Sequence, residues 1–215
     1  MTKALSGRQA QAARNDEVIL AAARAVFIAN PSAPISAVAE QAGVGISALY
    51  RRYASKEELL RKLCTDGLAT YIAEAEKALA DDREPWTAFE AFLHALVDAD
   101  TNSLTQRLAG TFTPTPELFE AAVRANELND AVYDRTKEYL RPGIVVEDFA
   151  MILEQITSIK LGDEARTNRL RHRYLTLVLE AMRRSGEQPG GGRDLPGPPP
   201  DADELTNRWR VQPAS

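Results

Sequence analysis

The sequence predicts an all-α protein, and three observations predict it. Apolar residues recur at i, i+3, i+4 and i+7 through most of the 215 residues. No stretch of useful length alternates apolar and polar residues as a half-buried strand does. Glycine, proline and Asn-Pro breaks fall between the periodic stretches, where helices have to stop. The expected organisation is a flexible arm over residues 1–13, a three-helix unit over 14–60, a larger helical domain over 61–184 and a Pro/Gly-rich tail over 185–215.

Val18, Ile19, Ala22, Val26 and Phe27 give the first helix its apolar stripe, and Asn30-Pro31 ends it. Pro34 precedes a short helical stretch, 36–42, which stops at Gly43; a second covers 46–53. Ser55 followed by Glu58 is a capping box, and it opens a long helix through Leu59, Leu60, Leu63, Leu68 and Ile72 to about Ala80. Asp81–Pro85 break it, and Trp86, Phe89, Leu93, Leu96 and Val97 carry the next amphipathic helix. A short helical piece is expected over 103–110, then a loop at Pro114 and Pro116. Leu118, Ala121, Ala125, Leu128 and Val132 mark a helix to about Leu140, closed by Arg141-Pro142-Gly143. Two more helices follow over 147–161 and 166–184, each apolar on more than one side. The last 31 residues hold five of the twelve glycines and six of the twelve prolines, and read as a disordered tail.

Composition narrows the function classes. Hydrophobic residues make up 44% and charged residues 27%, ordinary for a globular domain that buries its own core. A single cysteine, Cys64, excludes an internal disulfide and a Cys-rich zinc site. The two histidines, His94 and His172, cannot make a multi-histidine metal centre without carboxylates, and no metal or cofactor is expected. The most apolar stretch, 18–29, contains Arg24 and is too short to span a bilayer. The N-terminus lacks the apolar core of a secretory signal, so the expected compartment is the cytoplasm. There is no Gly-rich phosphate loop, no nucleophile elbow, no His-Glu-x-x-His and no Glu-x-x-His, so an enzyme is not expected. Residues 1–56 carry seven basic and three acidic side chains, net +4 within a chain total of −5, which leaves −9 on the remainder. A basic head on an acidic body suits a polyanion at the head.

Two short helices flank Gly43-Val44-Gly45, the spacing of a helix-turn-helix. Gly43 suits the left-handed turn, and Val38, Ala39, Val44 and Leu49 suit the packing between the two helices. The outward positions of the second helix are then Ile46, Ser47, Ala48, Tyr50, Arg51 and Arg52. Such a helix docks in a major groove with its first residues at base edges. Arg51 has the reach for a bidentate contact with guanine, and Ile46 and Ser47 suit a thymine methyl. Tyr50, Arg52 and Lys56 suit phosphates, Lys56 being joined there by the amide end of the following helix. Arg8 and Arg14 in the arm are candidates to follow the DNA backbone.

The stretch SAVAEQAGVGISALYRRYASKEELL, residues 36–60, resembles the DNA-binding signature of the TetR family of bacterial transcriptional regulators. The resemblance implies a homodimer on a palindromic operator, usually a repressor released by a small molecule held in the C-terminal domain. It places Tyr50, Arg52 and Lys56 at phosphates and Ile46, Ser47 and Arg51 on the base-facing surface. The sequence departs from the family pattern at Ala48, where threonine commonly offers a hydroxyl to a phosphate, at Ser47 and at Tyr53, which is read as core. The partners expected are therefore double-stranded DNA, a second copy of the chain through its last two helices, and an unidentified small-molecule effector. Candidate lining residues for the effector are Tyr71, Trp86, Phe89, Phe92, His94, Phe112, Tyr133, Phe149 and Gln155. A competing reading of the charge split is a helical interaction module whose basic head binds an acidic protein. An activator, or a regulator without an effector, fits the same residues.

Overall fold

The computed structural model describes residues 7–100, 108, 111–184 and 195–207, and among them every regular element is helical. The helices are α1 (Gly7–Ala29), α2 (Ile35–Ala42), α3 (Ile46–Arg52), α4 (Lys56–Ala80), α5 (Pro85–Ala99), α6 (Pro116–Thr136), α7 (Val146–Ser158), α8 (Glu164–Met182) and α9 (Ala202–Asn207). A single 3-10 turn, Lys137–Tyr139, continues α6.

Buried side chains fall into two clusters. One joins Ile19, Ala23 and Phe27 of α1 to Val38, Leu49, Leu59 and Leu63, with Leu108, Phe112 and Leu118 closing its far side. The other gathers Trp86, Phe89, Phe92, Leu93 and Leu96 of α5 with Leu128 and Val132 of α6, Phe149 and Leu153 of α7, and Leu175 and Leu179 of α8. Helix α4 contributes to both clusters; at 25 residues it is about 37 Å long. Helix α6 runs beside it in the same direction: Arg61 Nε donates to Thr113 O at one end, and Arg135 Nη1 donates to Ala78 O (2.7 Å) and Leu79 O (2.9 Å) at the other. The Arg135 guanidinium thus supplies a cation and donors to the C-terminal carbonyls of α4, which its own helix leaves unpaired.

The end of the C-terminal half is tied back to its middle. Arg141 N donates to Met182 O (2.8 Å) and Arg184 N to Tyr139 O (2.7 Å), so the end of α8 is fastened to the segment after α6. The buried Arg171 of α8 donates from Nε to Ile159 O (3.2 Å) and lies 3.4 Å from Asp100.

Several boundaries differ from the expected ones, and each difference has a local cause. Helix α1 starts at Gly7, so residues 7–13 of the expected arm are helix; Gln, Ala and Arg, all strong helix formers, dominate that stretch. Helix α8 starts at Glu164 because Asp163 caps it, its side chain accepting from Arg166 N at 2.7 Å. In the tail, Asp201 and Glu204 cap each other reciprocally (2.8 and 3.0 Å) and start α9, where the sequence reading had no helix. The expected helix over 103–110 lies outside the described residues apart from Leu108, as do residues 185–194 and 208–215 of the tail.

Candidate nucleic-acid interface

The α2–turn–α3 unit is built around one left-handed residue. Gly43 has φ of 65°, and the turn is closed by Gly43 N to Glu40 O (3.1 Å) and Val44 N to Ala39 O (3.0 Å). A Cβ at Gly43 would meet nothing within 4 Å, so glycine is needed there for its conformation and not for space. Helix α3 is anchored by Leu49, whose side chain is fully buried in the N-terminal cluster that also holds Val38 and Phe27. Burying one leucine is worth about 1.5–3 kcal/mol, and on a seven-residue helix this single contact sets which face points out.

Ile46 (39% exposed), Ser47, Tyr50 (48%) and Arg51 face solvent, and Ala48 is half-buried. Among the described residues Arg51 has no hydrogen-bond or ion-pair partner. A cleft of about 260 Å³ opens beside it between the middle of α1 and α3, lined by Asn15, Asp16, Ile19, Val44, Ala48, Arg51 and Arg52.

Two cations assigned to phosphates have other partners. Arg52 donates from Nε and Nη2 to the two carboxylate oxygens of Asp16 (2.8 and 2.7 Å). The Tyr53 hydroxyl donates to Asp16 Oδ1 at 2.6 Å, while its ring is buried as the sequence reading expected. The hydrogen bonds from Arg52, chiefly, hold the Asp16 carboxyl below the usual carboxylate range. Burial, joined by the Asp16 carboxylate, pushes the Tyr53 phenol well above its ordinary value. Lys56 Nζ donates to Pro31 O at 2.8 Å and sits 5.1 Å from the centre of the Phe27 ring, half-buried, and burial lowers its pKa. Both cations therefore lock the helix-turn-helix unit to its neighbours. The sequence reading missed Asp16, one of three acidic residues in the basic head, and no pattern in the sequence singles it out. Ser55 and Glu58 cap α4 reciprocally as the spacing predicted: Glu58 N donates to Ser55 Oγ (3.1 Å), and Glu58 Oε2 accepts from Ala54 N (2.6 Å).

The candidate effector residues divide. Tyr71, Trp86, Phe89, Phe92, Tyr133 and Phe149 meet in the C-terminal cluster, with ring centroids 4.9 Å apart for Phe89–Phe149 and 5.9 Å for Tyr133–Phe149. Polar atoms lie among these rings. The Tyr71 hydroxyl donates to Asn129 Oδ1 (2.9 Å), the Tyr133 hydroxyl to Ile144 O (3.1 Å), and Trp86 Nε1 is buried without a hydrogen-bond partner. Phe112 belongs to the other cluster, and Gln155 is exposed on α7. His94 is not a member of that cluster and meets α8 instead, its Nδ1 2.6 Å from Nδ1 of His172, whose Nε2 is 2.7 Å from Asp98 Oδ1. Cys64 is buried, and burial raises its thiol to about 12, so it stays protonated and unreactive. Among the described residues no group of three or more His, Cys, Asp or Glu is placed to hold a metal ion, and no helix is long and apolar enough to cross a membrane.

Residues 19–63 match the model of the bacterial regulatory proteins of the tetR family. No curated protein sequence matches the chain. Among solved structures, the chain is similar to the ketosteroid transcriptional regulator KstR2 of Mycobacterium tuberculosis, at 21% identity and a TM-score of 0.58, covering 80% of this chain and 96% of that one. It is also similar to the TetR-like transcriptional regulator LfrR from Mycobacterium smegmatis, solved in complex with proflavine, at 20% identity and a TM-score of 0.54, covering 77% and 96%. A third similar structure is the TetR transcriptional regulator SCO0520 from Streptomyces coelicolor, at 25% identity and a TM-score of 0.50, covering 78% and 97%.

Proposed function

We propose, from the match of residues 19–63 to the model of the bacterial regulatory proteins of the tetR family, that the protein is a dimeric transcriptional repressor of that family. It binds a palindromic operator and is released from it by a small molecule. The observation that carries the reading is the outward face of α3. A helix fixed by a buried leucine holds Ser47, Tyr50 and an unpartnered Arg51 in solvent, on a head of net charge +4. A core helix has no use for that face; a major groove does. Arg51 reads a base edge, Ile46 and Ser47 flank it, Ala48 lets the helix sit close, and Tyr50 reaches the phosphates. Lys56 and Arg52 hold the unit together in the DNA-free protein.

The second copy docks through α7 and α8. Tyr174 (45% exposed) and Leu177 (49%) lie on the solvent side of α8, opposite the buried Leu175 and Leu179. An apolar stripe on a charged helix of this kind suits a self-complementary contact. The effector enters among the rings of the C-terminal cluster, where the unpaired Trp86 Nε1 and the Tyr71 hydroxyl offer polar contacts. LfrR, a similar structure, holds proflavine, and a planar aromatic molecule suits a site opened among Trp86, Phe89 and Phe149, which are packed together here. The test is a gel shift on the DNA upstream of the protein's own gene. Wild type shifts that duplex and not a scrambled one, and Arg51→Ala and Tyr50→Ala each weaken the shift at least tenfold. Unchanged binding by both variants removes α3 as the reading helix, and a protein that binds no duplex returns the basic head to an acidic protein partner.

A further inference from the structure

We propose that Asp16 is a positioning residue that withholds Arg52 from the DNA backbone, leaving Arg51 as the cation that α3 presents to DNA. The inference rests on the reading of α3 as the DNA-facing helix.

The geometry carries it in three ways. Arg52 follows the buried Leu49 by three residues, which places it about 60° from the buried line of the helix, whereas Arg51 lies about 200° from that line, on the opposite side. Arg52 therefore stands on the flank of α3 that meets α1, and Asp16 is the residue waiting there. Both carboxylate oxygens are engaged in the fork geometry that suits a guanidinium best, 2.8 and 2.7 Å, and the Tyr53 hydroxyl adds a third donor at 2.6 Å. The carboxylate side chain is only 16% exposed, so Asp16 cannot turn aside to free its partner without losing these bonds. The fork takes Nε and Nη2 and leaves Nη1 outside it on a side chain that is 54% exposed. A phosphate that reached Nη1 would still approach a guanidinium whose charge the Asp16 carboxylate already offsets, and would itself lie near that carboxylate. The pair is neutral as a unit, so it releases no counterions when DNA binds. A cation that binds any phosphate adds affinity for every sequence. Masking it keeps the small α3 face selective.

The test uses the full chain and a duplex that the wild-type protein selects from random sequences, with a scrambled duplex beside it, over 50–200 mM KCl. Each phosphate contact contributes about 0.9 to the slope of log K against log salt. Arg52→Gln leaves the slope at the wild-type value. Asp16→Asn steepens it by about 0.9 and strengthens binding to the scrambled duplex, so that discrimination falls several-fold. The double variant Asp16→Asn/Arg52→Gln returns the slope to wild type. A positioning role limited to fold stability would weaken binding in Asp16→Asn without steepening the slope. Either that result, or a slope shallower by about 0.9 in Arg52→Gln alone, overturns the proposal. Should Asp16→Asn not fold, the Arg52→Gln slope decides by itself. A wild-type protein that selects no duplex overturns the DNA-facing reading of α3 itself, and this inference with it.

Discussion

At the scale of single residues, function depends on which charged groups are spoken for. Arg51 is free among the described residues, while Arg52 and Lys56, within five positions of it and alike in charge, are engaged by Asp16 and by the Pro31 carbonyl. Sequence pattern located the three cations but could not rank them, because their partners come from residues 36 and 25 positions away. Gly43, in contrast, was legible, since a left-handed turn between two short helices calls for glycine. Gly43→Ala should destabilise the protein by about 1 kcal/mol, the cost of a left-handed L-residue, read as a lower urea midpoint with an unchanged m value. His94 gives a pH dependence with a definite sign. Burial, and next the neighbouring His172, lower its pKa below 6.5, against the pull of Asp98 and Glu90. The folded protein then binds fewer protons than the unfolded chain, so the His94 contribution is intact above pH 6.5 and is lost as pH falls below it. Urea melts at pH 7.5 and 5.5 should show this loss, and His94→Gln should flatten it.

At the scale of helices, periodicity and caps located most elements, and errors arose where a cap is unusual. Ser55 and Glu58 announced α4, and the structure pairs them. Asp163 and Asp201 begin α8 and α9 by the same chemistry, yet a Pro/Gly-rich setting hid the second, and the apolar stripe of α8 begins only at Leu170, well past its cap. The α1 start was missed because its first two turns carry no apolar stripe, only residues of high helix propensity. Ser55→Ala should cost about 1 kcal/mol, measured by thermal melting. The loss should be smaller in a Ser55→Asp variant, whose carboxylate caps the same amide.

At the scale of the whole molecule, α4 contributes buried or partly buried side chains to both clusters and so joins the two halves of the described chain. The candidate effector residues show how far a composition argument reaches. Aromatic content found the rings that meet, but it also included Phe112, which packs in the other cluster, and Gln155, which is exposed. A three-dimensional pocket is not periodic in sequence, so no helical pattern sorts those residues. The exposed Tyr174–Leu177 stripe bears on the proposed assembly: Leu177→Glu should turn the proposed dimer into a monomer in sedimentation and abolish operator binding while the fold melts normally. The whole account depends on the outward face of α3 reading base edges twice, about a two-fold axis. Selecting duplexes from random sequence with wild type and with Arg51→Ala measures this most directly. The account predicts a palindromic motif for wild type and, for Arg51→Ala, loss of preference at one symmetry-related pair of guanines, a discrimination of about 1–3 kcal/mol. Identical motifs from the two proteins, or a wild-type motif without two-fold symmetry, would contradict it.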